Sequence, residues 1–247
     1  MGTTVNNGFT IIETMLFLGV AGALTVGILA GSGAAINQQR YRDSVNTLKS
    51  FIQQQYSETA NVVNGRSGSE ACANAVVAQP PAIVTPEARG TSECILLGRY
   101  VVIDTTGTEI TASNVVGYRA PGAPEAASDI LEITTNYQLG TSTIGQDMAD
   151  IAWGEVVDRP QTTQPMPLTM LILRSPLSGS IMTYTQEGVV TNLASMITAQ
   201  NSSATRNLCV NKSDNLLGGN RMSVQISSFA TSQGSIQIPP ESTSVCD

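Results

Sequence analysis

The chain has 247 residues, of which 41% are hydrophobic, 13% charged and 4% aromatic, with a formal net charge of −7 and no histidine. That is too apolar and too weakly charged for a disordered chain, and it lacks the commonest general base and neutral metal ligand, which disfavours an enzyme or a histidine-ligated metal. All the excess charge lies from Arg66 onward, nine basic against sixteen acidic residues, so the head repels phosphate backbones and nucleic acid is disfavoured as a partner.

The first element runs from Phe9 to Ile36, an apolar stretch long enough to span a bilayer with some tilt and carrying one charge, Glu13. An ionised carboxylate near the centre of a span costs roughly 2.5–3.5 kcal/mol, so such a group ordinarily has a partner or a task. The helical pattern continues beyond Ile36. Tyr41, Val45, Leu48, Ile52 and Tyr56 recur at spacings of three and four, the stripe of an amphipathic helix. Together these predict one helix from about Thr10 to Asn61, roughly 75–80 Å long at 1.5 Å per residue. Its first half is apolar all round and its second half on one face. Gly19, Gly22, Gly27, Gly31 and Gly33 interrupt it. They suit close helix–helix approach, with Gly27 and Gly31 a small-xxx-small pair, or local unwinding; equally, lipid can enforce a helix through such residues.

From Gly65 onward the pattern changes to short β-branched runs separated by Gly, Pro, Asn and Ser. Residues 94–104, 108–118 and 130–137 read as strands, the first two joined through Thr106 and Gly107. Residues 168–174 and 179–185 flank Ser175-Pro176 as a second hairpin, and 207–211 with 221–227 form a third. Residues 190–200 read as a short helix capped by Thr191 or Asn192. Prolines in 80–86, 121–124 and 160–167 mark loops. The fold class is α+β, a long N-terminal helix packed on an antiparallel β-sheet head.

Four cysteines, Cys72, Cys94, Cys209 and Cys246, form no CxxC pair. An even count behind an export-like segment reads as two disulfides in an oxidising compartment. Of three connectivities, Cys72–Cys94 with Cys209–Cys246 is favoured, since each closes a moderate loop flanked by turn residues. Catalytic and phosphate-binding motifs are absent, so neither an enzyme nor a cofactor is expected. Asp147, Asp150, Glu155 and Asp158 cluster around Trp153; a solvated acidic surface is favoured there over a cation site, which needs six or more placed oxygens.

The segment Gly8-Phe9-Thr10-Ile11-Ile12-Glu13, at the head of an apolar helix, resembles the processing site of type IV pilins and pseudopilins. The resemblance implies cleavage by a prepilin peptidase after Gly8, N-methylation of the new terminus Phe9, and an assembly role for Glu13. The free amine at Phe9 would lie one helical turn from Glu13, which compensates that charge within its own chain or sets axial register on a neighbour. It further implies a leader at 1–8, a transmembrane and assembly half at 9–36, an amphipathic half at 37–64 and a head at 65–247. Its partners would be other pilins in a homo-oligomeric filament and the membrane assembly machinery. Localisation would be the membrane as a single-pass protein, then a cell-surface filament serving adhesion or motility. Two departures stand out. Asn7 occupies a position where the family usually carries a basic residue, and Arg40 with Arg42 would by charge alone hold the C-terminal side in the cytoplasm. The closing pair around Cys209 and Arg221 distantly resembles minor pilins of the type II secretion family.

Two other readings compete. One is a minor pilin whose head binds a surface ligand or DNA, the latter requiring Arg206, Lys212 and Arg221 to form a basic strip. The other is a secreted β domain behind a cleaved signal, with Gly33 and Ala35 as the small residues of the cleavage site.

Overall fold

The computed structural model describes residues 10–61, 71–78, 92–211, 221–240 and 245–246. Its dominant element is α1, a helix of 50 residues over Ile11–Ala60. Thr10 caps it, its hydroxyl accepting from the Glu13 N–H at 3.3 Å, and Asn61 closes it through an N–H donated to the Ser57 carbonyl. The limits agree with the periodicity because a helix is a local structure, set by caps and side-chain spacing.

Eleven strands follow among the described residues: β1 (Ala71–Ala73), β2 (Val76–Ala78), β3 (Cys94–Ile103), β4 (Glu109–Arg119), β5 (Tyr137–Asp150), β6 (Val156–Asp158), β7 (Leu168–Arg174), β8 (Ile181–Glu187), β9 (Arg206–Asn211), β10 (Ser223–Ile226) and β11 (Ile236–Gln237). The largest sheet has the order β5-β4-β3-β7-β8, the second β11-β10-β9-β6, and β1 pairs with β2 alone. Every pairing is antiparallel. The class is therefore α+β.

The second half of α1 lies against both sheets. Tyr41, Val45, Leu48, Ile52 and Tyr56 share one core with Val101, Ile103, Ile110, Met170 and Ile172 of the large sheet and with Val157, Leu208, Val210, Val224 and Ile226 of the small one. The Tyr41 hydroxyl joins them further, donating to the Val210 carbonyl at 2.9 Å and accepting from the Met222 N–H at 2.6 Å. The opposite face of the large sheet is also covered. Leu97, Val115, Leu171, Leu173 and Tyr184 pack there with Leu193 and Met196 of α3 (Leu193–Met196). Burial on both faces explains why β7 shows no alternation and is buried from Leu168 to Leu173.

Two residues shape one turn. Asp104 organises the β3–β4 turn, one carboxylate oxygen accepting from the N–H groups of Thr108 and Glu109. Gly107 in that turn has φ +71, and a Cβ there would lie 2.5 Å from the Val157 carbonyl oxygen. The disulfides are Cys72–Cys94 and Cys209–Cys246, the connectivity favoured from loop length. The first fastens β1 to the start of β3 and the second holds the C-terminal tail against β9. Loops of this size contribute about 3–4 kcal/mol each by restricting the unfolded chain.

Three readings need correction. The predicted strand over 130–137 is helical up to residue 136: α2 (Asp129–Leu131) runs into a π-helical turn, Glu132–Asn136, and only Tyr137 is extended, as the start of β5. The Glu132 carboxylate accepts from Arg119, the Ala126 N–H and Asn136, and winds the segment around itself. The predicted 190–200 helix is two, α3 and α4 (Ala199–Ser203), because the Thr198 hydroxyl starts a second cap on the Asn201 N–H. β5 was not expected as a strand at all. The loop prolines in 80–86 and the connection of the third hairpin, 212–220, lie outside the described residues.

Candidate functional site

α1 leaves the head between Arg40 and Tyr41, and the two sides of that boundary differ completely. Tyr41 is the first buried residue; before it, nearly every described side chain back to Ile11 is exposed. Ile11, Ile12, Phe17 and Ile28 are each at least 70% exposed. Asn37, Gln38, Gln39 and Arg40 form a polar neck between that rod and the head. α1 is the one helix among the described residues long and apolar enough to cross a membrane. Soluble monomers rarely show contiguous apolar patches above a few hundred Å2, so this surface requires lipid or other protein.

Glu13 stands in the first turn of the rod, where the helix dipole favours a negative charge. Thr10 and Glu13 have the spacing of a capping box, and the Thr10 half of it is formed. Gly8 and Phe9 lie outside the described residues. Among the described residues, no atom beyond the helix's own backbone lies within 4 Å of where a Cβ would stand at Gly19, Gly22, Gly27, Gly31 or Gly33.

No family model matches the chain, and no curated protein or solved structure is similar to it.

The second feature is a lock between stem and head that the sequence reading missed. Arg99 of β3, its side chain only 4% exposed, reaches α1, β4 and β5. Nε donates to Gln55 Oε1 at 2.8 Å and lies 3.2 Å from Glu58, both on α1. Nη1 donates to Asn114 Oδ1 at 2.7 Å and to the Gly145 carbonyl at 2.9 Å. Nη2 pairs with Asp147 and reaches the Ala112 carbonyl at 3.4 Å. The geometry depends on two register shifts, one in β3 between Leu96 and Gly98 and one where β5 pairs with β4 between Ala112 and Asn114. A signal was present in the sequence: Arg99 is two residues from Val101, on the inward phase of its strand.

The four acids read as a solvated surface around Trp153 are scattered instead, and Glu155 and Asp158 are buried. No group of three or more carboxylates or thiols that could hold a metal occurs among the described residues. Asp147 serves Arg99, Glu155 is buried, and Asp158 is buried at the end of β6, the edge strand of the small sheet, opposite Cys209 and 3.9 Å from Arg221. The basic trio is equally dispersed. Arg206 begins β9, pairing with Glu187 at 3.1 Å, while Arg221 precedes β10 at the other end of that hairpin and donates to the Thr162 carbonyl. Lys212 lies outside the described residues.

Two buried carboxylates respond oppositely to acid. Hydrogen bonds from Arg119 and the Ala126 N–H lower the Glu132 pKa. Its stabilisation is present above the ordinary glutamate value and is lost as pH falls through the lowered folded value. Burial raises the Asp158 pKa, opposed only in part by Arg221 and a hydrogen bond with Asn211, and Oδ2 accepts no hydrogen bond among the described residues. The folded state therefore binds that proton more tightly than the unfolded one, and Asp158 destabilises the head at neutral pH, less so as pH falls through its raised value. Asp158→Asn is expected to raise the thermal midpoint at neutral pH and Glu132→Gln to lower it, with the two differences shrinking in acid. Melting curves across that range test both signs.

Proposed function

We propose that the chain is a structural subunit of a type IV pilus or related filament, held in the membrane, cleaved after Gly8 and assembled through α1. One observation carries the reading: a single helix roots its second half in two sheets and extends its first half as an apolar rod with one carboxylate in its first turn. A plain anchor needs the rod and has no use for Glu13. A subunit that moves from lipid into a helical bundle uses both, since the carboxylate is expensive in lipid and is satisfied beside the amine of a processed terminus. The glycines of the rod suit close packing between stems. The disulfides suit a head displayed outside the cell, for adhesion or motility. DNA capture by the head is disfavoured, because Arg206 and Arg221 face carboxylates of their own chain.

The mass of the mature chain tests this. The expected product begins at Phe9 and carries one methyl group on its amine. A chain beginning near Ile36 would instead identify a secreted β domain, and an unprocessed chain a simple membrane anchor.

A further inference from the structure

The rod is longer than a bilayer is thick. At 1.5 Å per residue the stretch from Ile11 to Ile36 measures about 38 Å, against about 30 Å of hydrocarbon. A span with such an excess tilts, and neighbouring helices or interfacial tryptophan, tyrosine, lysine and arginine side chains set the direction. Tilt lowers one side of the head toward the bilayer. Arg40 follows Ile36 by four residues, about 6 Å along the axis. The headgroup layer on either side of the hydrocarbon is about 5–7 Å deep, so with Ile36 at the hydrocarbon boundary Arg40 lies among headgroups.

The head holds an indole at that same level. Trp153 belongs to a single turn over Ala152–Gly154 that packs against α1, and the Arg40 guanidinium lies 4.8 Å from its ring centroid. The ring is 56% exposed and fronts an open groove along Asn46, Thr47 and Ser50 of α1. Its backbone is left-handed, φ 65, a conformation rare for a bulky residue, and Gly154 after it has φ 72. Asp43, the carboxylate of this groove, stands three residues further from the rod than Arg40, about 4.5 Å along the axis. The ring and the cation therefore meet a bilayer first. An apolar ring with one polar N–H, beside a guanidinium on an apolar stem, is the pairing that the boundary between hydrocarbon and water favours.

We infer that Trp153 and Arg40 anchor the stored subunit in the headgroup layer of the bilayer that its rod crosses, and so set the side to which the rod tilts. The inference rests on the membrane half of the filament reading. The occupant of this face is fixed by its height above the rod: the layer that surrounds Arg40 also surrounds the ring stacked on it. Extraction into a filament then withdraws the indole from lipid together with the rod.

Trp153 is the only tryptophan in the chain, so its fluorescence reports this site alone. The test reconstitutes the full chain at low density in phosphatidylcholine vesicles that carry a quencher either at the headgroup or near the end of the acyl chain. Emission to the blue of a solvent-exposed indole is expected, with the headgroup probe quenching about twofold more than the deep one. Arg40→Gln is expected to lower the headgroup quenching about twofold, because the ring loses the cation stacked on it. Quenching unchanged in that variant would overturn the paired anchor. Chain that resists alkaline extraction from the vesicles yet keeps water-like emission, or is quenched more by the deep probe, would overturn the anchor and leave the membrane reading intact. A blue shift that neither lipid probe quenches would place another copy on the ring and overturn it equally. Chain that alkali removes from the vesicles would overturn both.

Discussion

Replacing Glu13 with glutamine or alanine is expected to reduce fibre yield at least tenfold while the subunit accumulates in the membrane. The loss is specific to assembly because the residue touches nothing in the head: the core begins at Tyr41, about eight helical turns further along. In lipid the change removes an unfavourable charge, roughly 2.5–3.5 kcal/mol if placed near the centre of a span, so storage becomes easier and extraction harder. Unchanged thermal unfolding of the head, measured in detergent, separates this effect from misfolding. Comparing sheared fibres with the membrane fraction supplies the readout. Fibres formed in ordinary amounts would remove the role assigned to Glu13.

The second large effect is expected at Arg99. Truncation to alanine leaves Gln55, Asn114 and the Gly145 carbonyl without their donor and strands Glu58 and Asp147. Breaking a buried ion pair by removing one partner costs about 3–5 kcal/mol, and the partial exposure of both carboxylates sets the expectation at the lower end. For a head of this size that corresponds to a fall in melting temperature on the order of 10 °C. Arg99→Lys is expected to recover only part of it, since an ammonium has three donors and no planar fork. Calorimetry or circular dichroism of the purified chain measures both variants. A shift under a few degrees for Arg99→Ala would show that the lock between stem and head is dispensable.

Those two residues also divide what was legible from what was not. Glu13 is conspicuous in the sequence because its surroundings are apolar for many residues on either side. Arg99 is inconspicuous: its carboxylate, amide and carbonyl partners come from α1, β4 and β5, and only the fold brings them together. The same distinction explains the misread segment at 130–137. Its Ile133, Thr134 and Thr135 favour extended backbone, but Arg119 and the Ala126 N–H, both outside the segment, capture Glu132 and a helical turn results. β5 fails in the opposite direction. Gly140 and Gly145 interrupt any alternation, and the strand exists because β4 offers it a ladder.

The sequence by itself determined α1, its approximate limits, its apolar and amphipathic halves, the hairpins with short turns, and the favoured cysteine pairing. These are matters of spacing along the chain, where each residue's neighbours are known in advance. Tertiary structure alone decided where the head takes hold of the stem, which acids are buried, that the acidic and basic groups read from sequence are scattered, and that Trp153 is held outward beside Arg40. Those outcomes depend on which strands become neighbours, and the free energy of such pairing is shared among residues far apart in the chain.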